Sequence, residues 1–407
     1  MADHHDELYW RRQAIRLRLK GWRPCEILTR IPRKRTWLHK WWQRFTELGW
    51  QGLLDQSHRP KHSSQAYTEQ AHTLVLNLRR ALEQRQIGLV GARAIQQEIR
   101  EHALLQPLPS LATIKRWLHS AGLTQETIEQ QSDSFYPQPA QAAQAVWYAC
   151  DWIARYLEGG AKVFVFHTVD LETRALEQTL RSDKTVASVR EHLLCSWQKL
   201  GLPDRLHLDN DAAFTGGERT KRRLGAIVRL CLYLGIEVVF LPPGEPKRNG
   251  VVERINGLWA QQFWERNRFG TFKQVLRRQG VFLDWYWHRY KPECLEGLTV
   301  AQAQQQVRRV RLSDQQAREL PAKLPLTAGR VHFVRCVASD GTISFLGEKW
   351  LVGRRLAQEY IWATVTIHSQ RLELFHQRSA RAKWQRIKTY DYALPETVHR
   401  LRAEFKR

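Results

Sequence analysis

Apolar positions recur at helical spacing through the first 125 residues and in strand-like runs after residue 145. Leu8, Ile15 and Leu19 share one side of residues 6–20, basic residues occupy the other, and Gly21-Trp22 interrupts the pattern. A short helix follows in PCEILTR, with Pro at its first position. Ile31-Pro32 then makes a turn, and KRTWLHKWWQRFTELG reads as a longer basic helix that stops at Gly49. This order predicts a helix-turn-helix over 1–60 whose last helix would enter a DNA major groove. Lys34, Arg35, His39 and Lys40 would meet the duplex, while Trp37, Leu38, Trp41 and Phe45 would pack the core.

The theme repeats over 61–123. An amphipathic helix spans 67–86, and GARAIQQEIREH and PLPSLATIKRWLHSAGL supply two more, with Ser110 as an N-cap and Gly122 as a stop. This predicts a second helix-turn-helix presenting Lys115 and Arg116. Residues 124–144, rich in Gln, Ser and Pro, read as a linker.

The texture then changes. AVWYACDWI, AKVFVFHTVD and TRALEQTL are three successive strands, followed by the helix KTVASVREHLLCSWQKLG. DRLHLDND is a strand ending in acids, KRRLGAIVRLCLYLG a helix, and IEVVFLP a strand. Residues 249–267 and TFKQVLRRQGVFLDWYWHRY are helices. The alternation predicts an α/β domain over 145–298, a mixed sheet flanked by helices. A linker, 299–327, precedes short strands over 328–378, with Asp340-Gly341 at a hairpin turn, which predict a small β-barrel. Residues 379–407 read as a basic tail, with Arg381, Lys383, Arg386 and Lys388 around Trp384.

Charge narrows the partner. Sixty-four Lys plus Arg against forty Asp plus Glu leave +24, with a pI near 10.2. That excess favours a polyanion, and nucleic acid first, because each neutralised phosphate releases counterions. A hydrophobic fraction of 43% and 17 Trp supply real cores and exclude a disordered chain. No apolar run approaches the ~18 residues of a membrane span, and the N-terminus lacks a signal-peptide pattern, so no membrane partner is expected. Six scattered Cys without metal spacing imply reduced thiols in a cytoplasmic setting.

Three acids stand out. Asp151 lies inside an apolar strand, Asp209 ends RLHLD, and Glu253 follows Asn249-Gly250 on a helix. On that helix Val251, Val252, Ile255, Leu258, Trp259 and Phe263 form one apolar face. Glu253 lies opposite, with Asn249, Asn256, Gly257 and Ala260, on a small polar face that suits either close approach of a ligand or solvent. Lys247, Arg248 and Arg254 flank it as candidate DNA-backbone contacts, solvated charges being the alternative. Carboxylates drawn from two strands and a helix suit Mg²⁺ or Mn²⁺, and two such ions can drive an in-line phosphoryl displacement. His167 and His207 read as strand histidines, Asp204 and Glu245 as residues that cap or decorate loops, and Asp170, in the next strand, can pass for a ligand.

YACDW, HTVDLETRAL, LHLDNDAAF and PKRNGVVERING, in this order, resemble the catalytic core shared by retroviral-type integrases and bacterial insertion-sequence transposases. Fifty-seven residues separate Asp151 from Asp209 and forty-three separate Asp209 from Glu253, the second interval suggesting an insertion near TGGERTKRR. The resemblance implies a ribonuclease-H-like fold with Asp151, Asp209 and Glu253 as the Asp-Asp-Glu triad and as ligands of two ions, Asp151 being shared. Asp211 stands where the family usually has Gly and so rivals Asp209 as the second ligand, Asp209 being preferred because it ends the strand and aligns with the family's Asp. Asp170 falls where the family has a non-catalytic Asp, and the zinc module of retroviral integrases is absent from the sequence. The paired helix-turn-helix and the small β domain resemble those of bacterial transposases.

The implied function is a DNA transposase of the bacterial cytoplasm, associated with the nucleoid. It would bind the terminal inverted repeats of its element, cleave the 3′ ends and join them to target DNA as a homo-oligomer. The alternative is a sequence-specific DNA-binding regulator with an inactive core. A nuclease on hybrid duplexes is disfavoured by two duplex-reading modules.

Overall fold

A computed structural model describes residues 4–55, 67–124, 135–137, 145–216 and 221–405. The expected linker at 124–144 lies largely outside these, and the insertion near TGGERTKRR lies partly outside, at 217–220. The chain forms two compact units, Met1–Gln70 and Ala71–Arg407.

The first unit holds α1 (His4–Leu19), α2 (Pro24–Arg30) and α3 (Arg35–Leu48), closed by a 3₁₀ turn at Gly49–Leu53. Ala14, Ile15, Ile27, Ile31, Leu38, Trp41 and Leu53 are its buried core. Leu19, expected inside, is 55% exposed because α1 ends there. Arg11, on the face read as solvated, is buried instead. Its guanidinium lies 3.9 Å from the Trp41 ring centre and donates to the Leu53 carbonyl at 3.0 Å.

In the second unit α4 (Glu69–Gln84), α5 (Ala92–Glu101) and α6 (Leu111–Ser120) pack through Val75, Leu82, Ile95, Ile99, Ile114 and Leu118. Ser110 caps α6 by accepting from the Thr113 amide at 3.1 Å, and Gly122 ends it in the left-handed region. The α4–α5 loop meets the α/β region: the Gly88 amide donates to Gln262 Oε1 at 3.2 Å.

A nine-stranded sheet dominates this unit. β1 (Trp147–Tyr156), β2 (Lys162–Asp170) and β3 (Leu176–Arg181) form an antiparallel meander. After α7 (Val186–Lys199), β4 (Arg205–Leu208) pairs parallel with β1. The short α8 (Ala212–Thr215) and α9 (Ala226–Tyr233) lead to β5 (Glu237–Phe240), parallel to β4. Next come α10 (Gly250–Trp259), which continues into a π turn at Ala260–Trp264, and α11 (Phe272–His288). Strand neighbours point to opposite faces. On β2, His167 bonds to Asn256 of α10 whereas Thr168 bonds to His192 of α7, so helices cover both faces. The order β3-β2-β1-β4-β5 with helices on both faces fits a ribonuclease-H-like core.

Residues 299–327, read as a linker, contain α12 (Val300–Gln305) and α13 (Asp314–Arg318). The expected separate β-barrel is corrected. β6 (Arg330–Cys336) pairs parallel with β5, and β9 (Tyr360–Thr366), β10 (Arg371–His376) and β11 (Gln385–Asp391) extend the same sheet. β7 (Thr342–Phe345) and β8 (Glu348–Leu351) form a separate hairpin. The reason lies in β6: Val331 to Arg335 are all buried, so both faces are covered, as an interior strand requires and an alternating barrel strand does not. β11 falls in the segment read as a tail.

Candidate active site

Asp151 sits midway along β1, where the strand passes from fully buried to part-buried residues. Its antiparallel partner is His167. On the other side Tyr148 lies opposite Leu206 and Ala149 opposite His207. Asp151 lies two residues past the last of these pairs on β1, and Asp209 follows β4 directly. The parallel pairing thus puts the first two acids on the side of the sheet at the carboxyl end of β4, where open α/β sheets bind ligands.

The third acid arrives on α10. Val252, Ile255, Leu258 and Trp259 bury this helix, which packs on β1 and β2. Its other face is not free. Asn256, 8% exposed, donates from Nδ2 to Asp151 Oδ2 at 2.9 Å, and its Oδ1 lies 2.6 Å from His167 Nδ1. Glu253 is one turn earlier on the same side of the helix, three residues from Asn256.

Electrostatics agrees with this placement. Burial pushes the Asp151 carboxyl up to about 7, and the charges of Asp209 and Glu253 both add to the rise. The Trp152 amide, donating to Asp151 Oδ1 at 2.8 Å, and Asn256 oppose it. Burial also raises Asp209, with repulsion from Asp211 adding and Lys184 opposing, and burial alone raises Glu253. Hard oxygen donors with suppressed ionisation form a donor set that a divalent cation would relieve, which suits the expected metal chemistry. Among the described residues no three His, Cys, Asp or Glu side chains already converge closely enough to hold an ion.

The rival Asp211 is otherwise engaged. Its Oδ1 caps α8 by accepting from the Ala213 amide at 2.8 Å, and its Oδ2 pairs with Lys184 Nζ at 2.8 Å. Asp170 is buried and paired with Arg309 at 3.0 Å, and the Asp204 carboxylate accepts from the Val146 amide at 2.6 Å. His207 packs edge-on against Trp147. His167, also read as a plain strand histidine, is instead tied to the site through Asn256, with Gln178 3.0 Å from its other nitrogen. Its burial holds its pKa below the usual imidazole value.

Of the cationic candidates, Lys34, Arg35, His39 and Lys40 are exposed on and beside α3, and Lys115 and Arg116 are exposed on α6. Arg254 is exposed on α10. Arg248 is drawn inward: it pairs with Glu245 at 3.0 Å and lies 4.4 Å from the Tyr136 ring centre. The Lys247 side chain lies outside the described residues. Sequence reasoning assigned no role to Asn256, although its i+3 spacing from Glu253 was a usable signal. It had no access to Lys184, or to Arg335 of β6, which donates to Asn210 Oδ1 at 2.6 Å.

No helix among the described residues is long and apolar enough to cross a membrane. No protein-family model and no curated protein matches the chain. Similar solved structures include the HTLV-2 integrase catalytic core domain in complex with magnesium. It is 17% identical over 39% of this chain and 95% of that one, with a TM-score of 0.30. The catalytic core domain of BIV integrase is 19% identical over 40% and 95%, with a TM-score of 0.29. A chain of the simian T-cell lymphotropic virus intasome in complex with PP2A regulatory subunit B56 gamma is 16% identical over 74% and 96%, with a TM-score of 0.35. At such identities and scores the functional reading rests on the site's own geometry.

Proposed function

We propose that this chain is a DNA transposase that breaks and joins phosphodiester bonds at a site formed by Asp151, Asp209 and Glu253. The observation that carries the reading is geometric: β1, which bears Asp151, pairs parallel with β4, which runs directly into Asp209, and Asn256 of α10, one turn from Glu253, donates to Asp151 Oδ2 at 2.9 Å. Burial and the charges of the other two acids raise the Asp151 carboxyl to about 7 beside it. A fold retains such mutual repulsion at a functional site more readily than in a scaffold. Two Mg²⁺ or Mn²⁺ ions held by these carboxylates, Asp151 shared, would activate the attacking oxygen and stabilise the leaving one. The chain's own groups prepare that chemistry. Asn256 and the Trp152 amide orient Asp151, and the Asp211 amide, 3.0 Å from Asp209 Oδ1, orients Asp209.

The helical regions would bind the terminal inverted repeats, with Lys34, Arg35, His39 and Lys40 on α3 and Lys115 and Arg116 on α6 facing DNA. Lys247, Arg248 and Arg254 would lie near the cleaved strand, Arg248 mainly shaping its loop. Cutting at each 3′ end and joining the freed hydroxyl to target DNA requires two element ends, and so at least two protomers.

The test is cleavage of labelled duplexes carrying the DNA that flanks the gene, with and without Mg²⁺, for native protein and Asp151→Asn. Metal-dependent nicking at the element ends, lost in the variant, is expected. Specific binding without nicking under any divalent metal would replace the transposase by a DNA-binding regulator.

A further inference from the structure

Strands contributed by the C-terminal segment reach the loops that carry the second and third acids. Arg335, on β6 and 6% exposed, lies beside the carboxyl ends of the parallel strands β4 and β5. Its Nη1 donates to the Leu241 carbonyl, one residue past β5, at 3.0 Å. Its Nη2 donates at 2.6 Å to Oδ1 of Asn210, the residue after Asp209. Asn210 Nδ2 donates to the same Leu241 carbonyl at 2.6 Å, so the three groups close a ring. Nε donates to the Ser344 carbonyl of β7 at 3.1 Å and fixes the base of the fork. Further along the loop after β5, Tyr360 of β9 bonds to Glu245 and accepts from Arg248 at 3.1 Å, immediately before α10 and Glu253.

We propose that Arg335 is a positioning residue for the three-acid site, acting through Asn210 and the Leu241 carbonyl. One planar guanidinium binds the loop after β4, which bears Asp209, to the loop after β5, which leads to Glu253. The C-terminal strands are therefore part of the catalytic unit and not an appended module. The physical reason is the fork itself. Arg presents five donors in a fixed plane and can serve both loops at once, whereas an ammonium at the end of a flexible stem cannot hold them in the same geometry. Metal-ligating carboxylates tolerate displacements of only about 0.5 Å, so slack between the loops loosens the ligand set. This inference rests on the three-acid reading of the site.

The experiment measures Mn²⁺ binding to the full chain from the electron paramagnetic resonance of free Mn²⁺, for native protein, Asp151→Asn, Asn210→Ala, Arg335→Lys and Arg335→Met. Duplex binding and thermal melting are measured alongside. Expected are loss of the tightest site in Asp151→Asn and tenfold or greater weakening in Asn210→Ala and Arg335→Met. Arg335→Lys should fall between these and the native protein, with duplex binding unchanged throughout. Raising Mn²⁺ should restore nicking in Asn210→Ala, which a general loss of structure would not permit. If Arg335→Met does not fold, Asn210→Ala, at a part-buried position, decides the matter. Native affinity in Asn210→Ala beside a loss in Asp151→Asn overturns the role of Arg335. Native affinity in Asp151→Asn overturns the three-acid reading itself.

Discussion

Replacing Asp151 by Asn should stabilise the metal-free protein above neutral pH. In the fold, burial and the neighbouring acids raise this carboxyl from its ordinary 3.8 to about 7. The folded protein therefore binds more protons than the unfolded chain between those two values. Stability accordingly falls as pH rises from about 4 to about 7, and the penalty is fully present above 7. The shift corresponds to a ceiling of about 4 kcal/mol for keeping Asp151 ionised in the fold. Water reaching this partly exposed group brings that to about 1–2 kcal/mol. Asn keeps the shape but sets its amide against Asn256 Nδ2, returning roughly 0.5–1 kcal/mol of the gain.

The assay is thermal melting in a chelator from pH 5 to pH 9. The native melting temperature should drop between pH 5 and pH 8, and the Asp151→Asn profile should be flatter and about 1–2 °C higher at pH 8. Mg²⁺ should stabilise the native protein and leave the variant unmoved. A variant less stable than native at pH 8, with the same pH slope, would refute the reasoning.

Glu253→Gln should abolish metal-dependent nicking while leaving duplex affinity within twofold, checked by cleavage and fluorescence anisotropy on one labelled duplex. Asn256→Ala removes one hydrogen bond to Asp151 and leaves Nδ1 of buried His167 without its partner, so it should lower the melting temperature by the equivalent of about 1–3 kcal/mol. It should also raise the Mg²⁺ concentration needed for half-maximal nicking, and an unchanged requirement would count against its orienting role. Replacing Lys34, Arg35 and Lys40 together by Ala should weaken duplex binding and reduce the slope of log K against log salt by roughly one for each phosphate no longer neutralised. The nicking rate at saturating protein should stay unchanged.

Local chemistry was legible wherever a few neighbouring residues decide it. The Ser110 cap and the Gly122 stop bound α6 where side-chain acceptance and a positive φ require them. The three-strand meander and the following alternation were read from short apolar runs. Arg11 was misplaced because a helical wheel treats a guanidinium as solvated. The ring of Trp41 and the Leu53 carbonyl, far off in sequence, create the pocket that buries it. Five of the six C-terminal strands, β6 to β10, were read as strands but assigned to a barrel, and β11 was read as tail, since pairing partners are not written in strand periodicity.

The sequence by itself determined the element types of the α/β region, the basic character of the chain and the identity of the three acids as candidates, because patterning, net charge and motif order are local properties. Only the tertiary structure decided what surrounds those acids. The β1–β4 pairing sets the strand of Asp151 beside the strand that runs into Asp209, Asn256 of α10 donates to Asp151, and β6 delivers Arg335 to Asn210. Each of these depends on which strand or helix lies beside which, and that is settled by burying faces jointly over the whole chain.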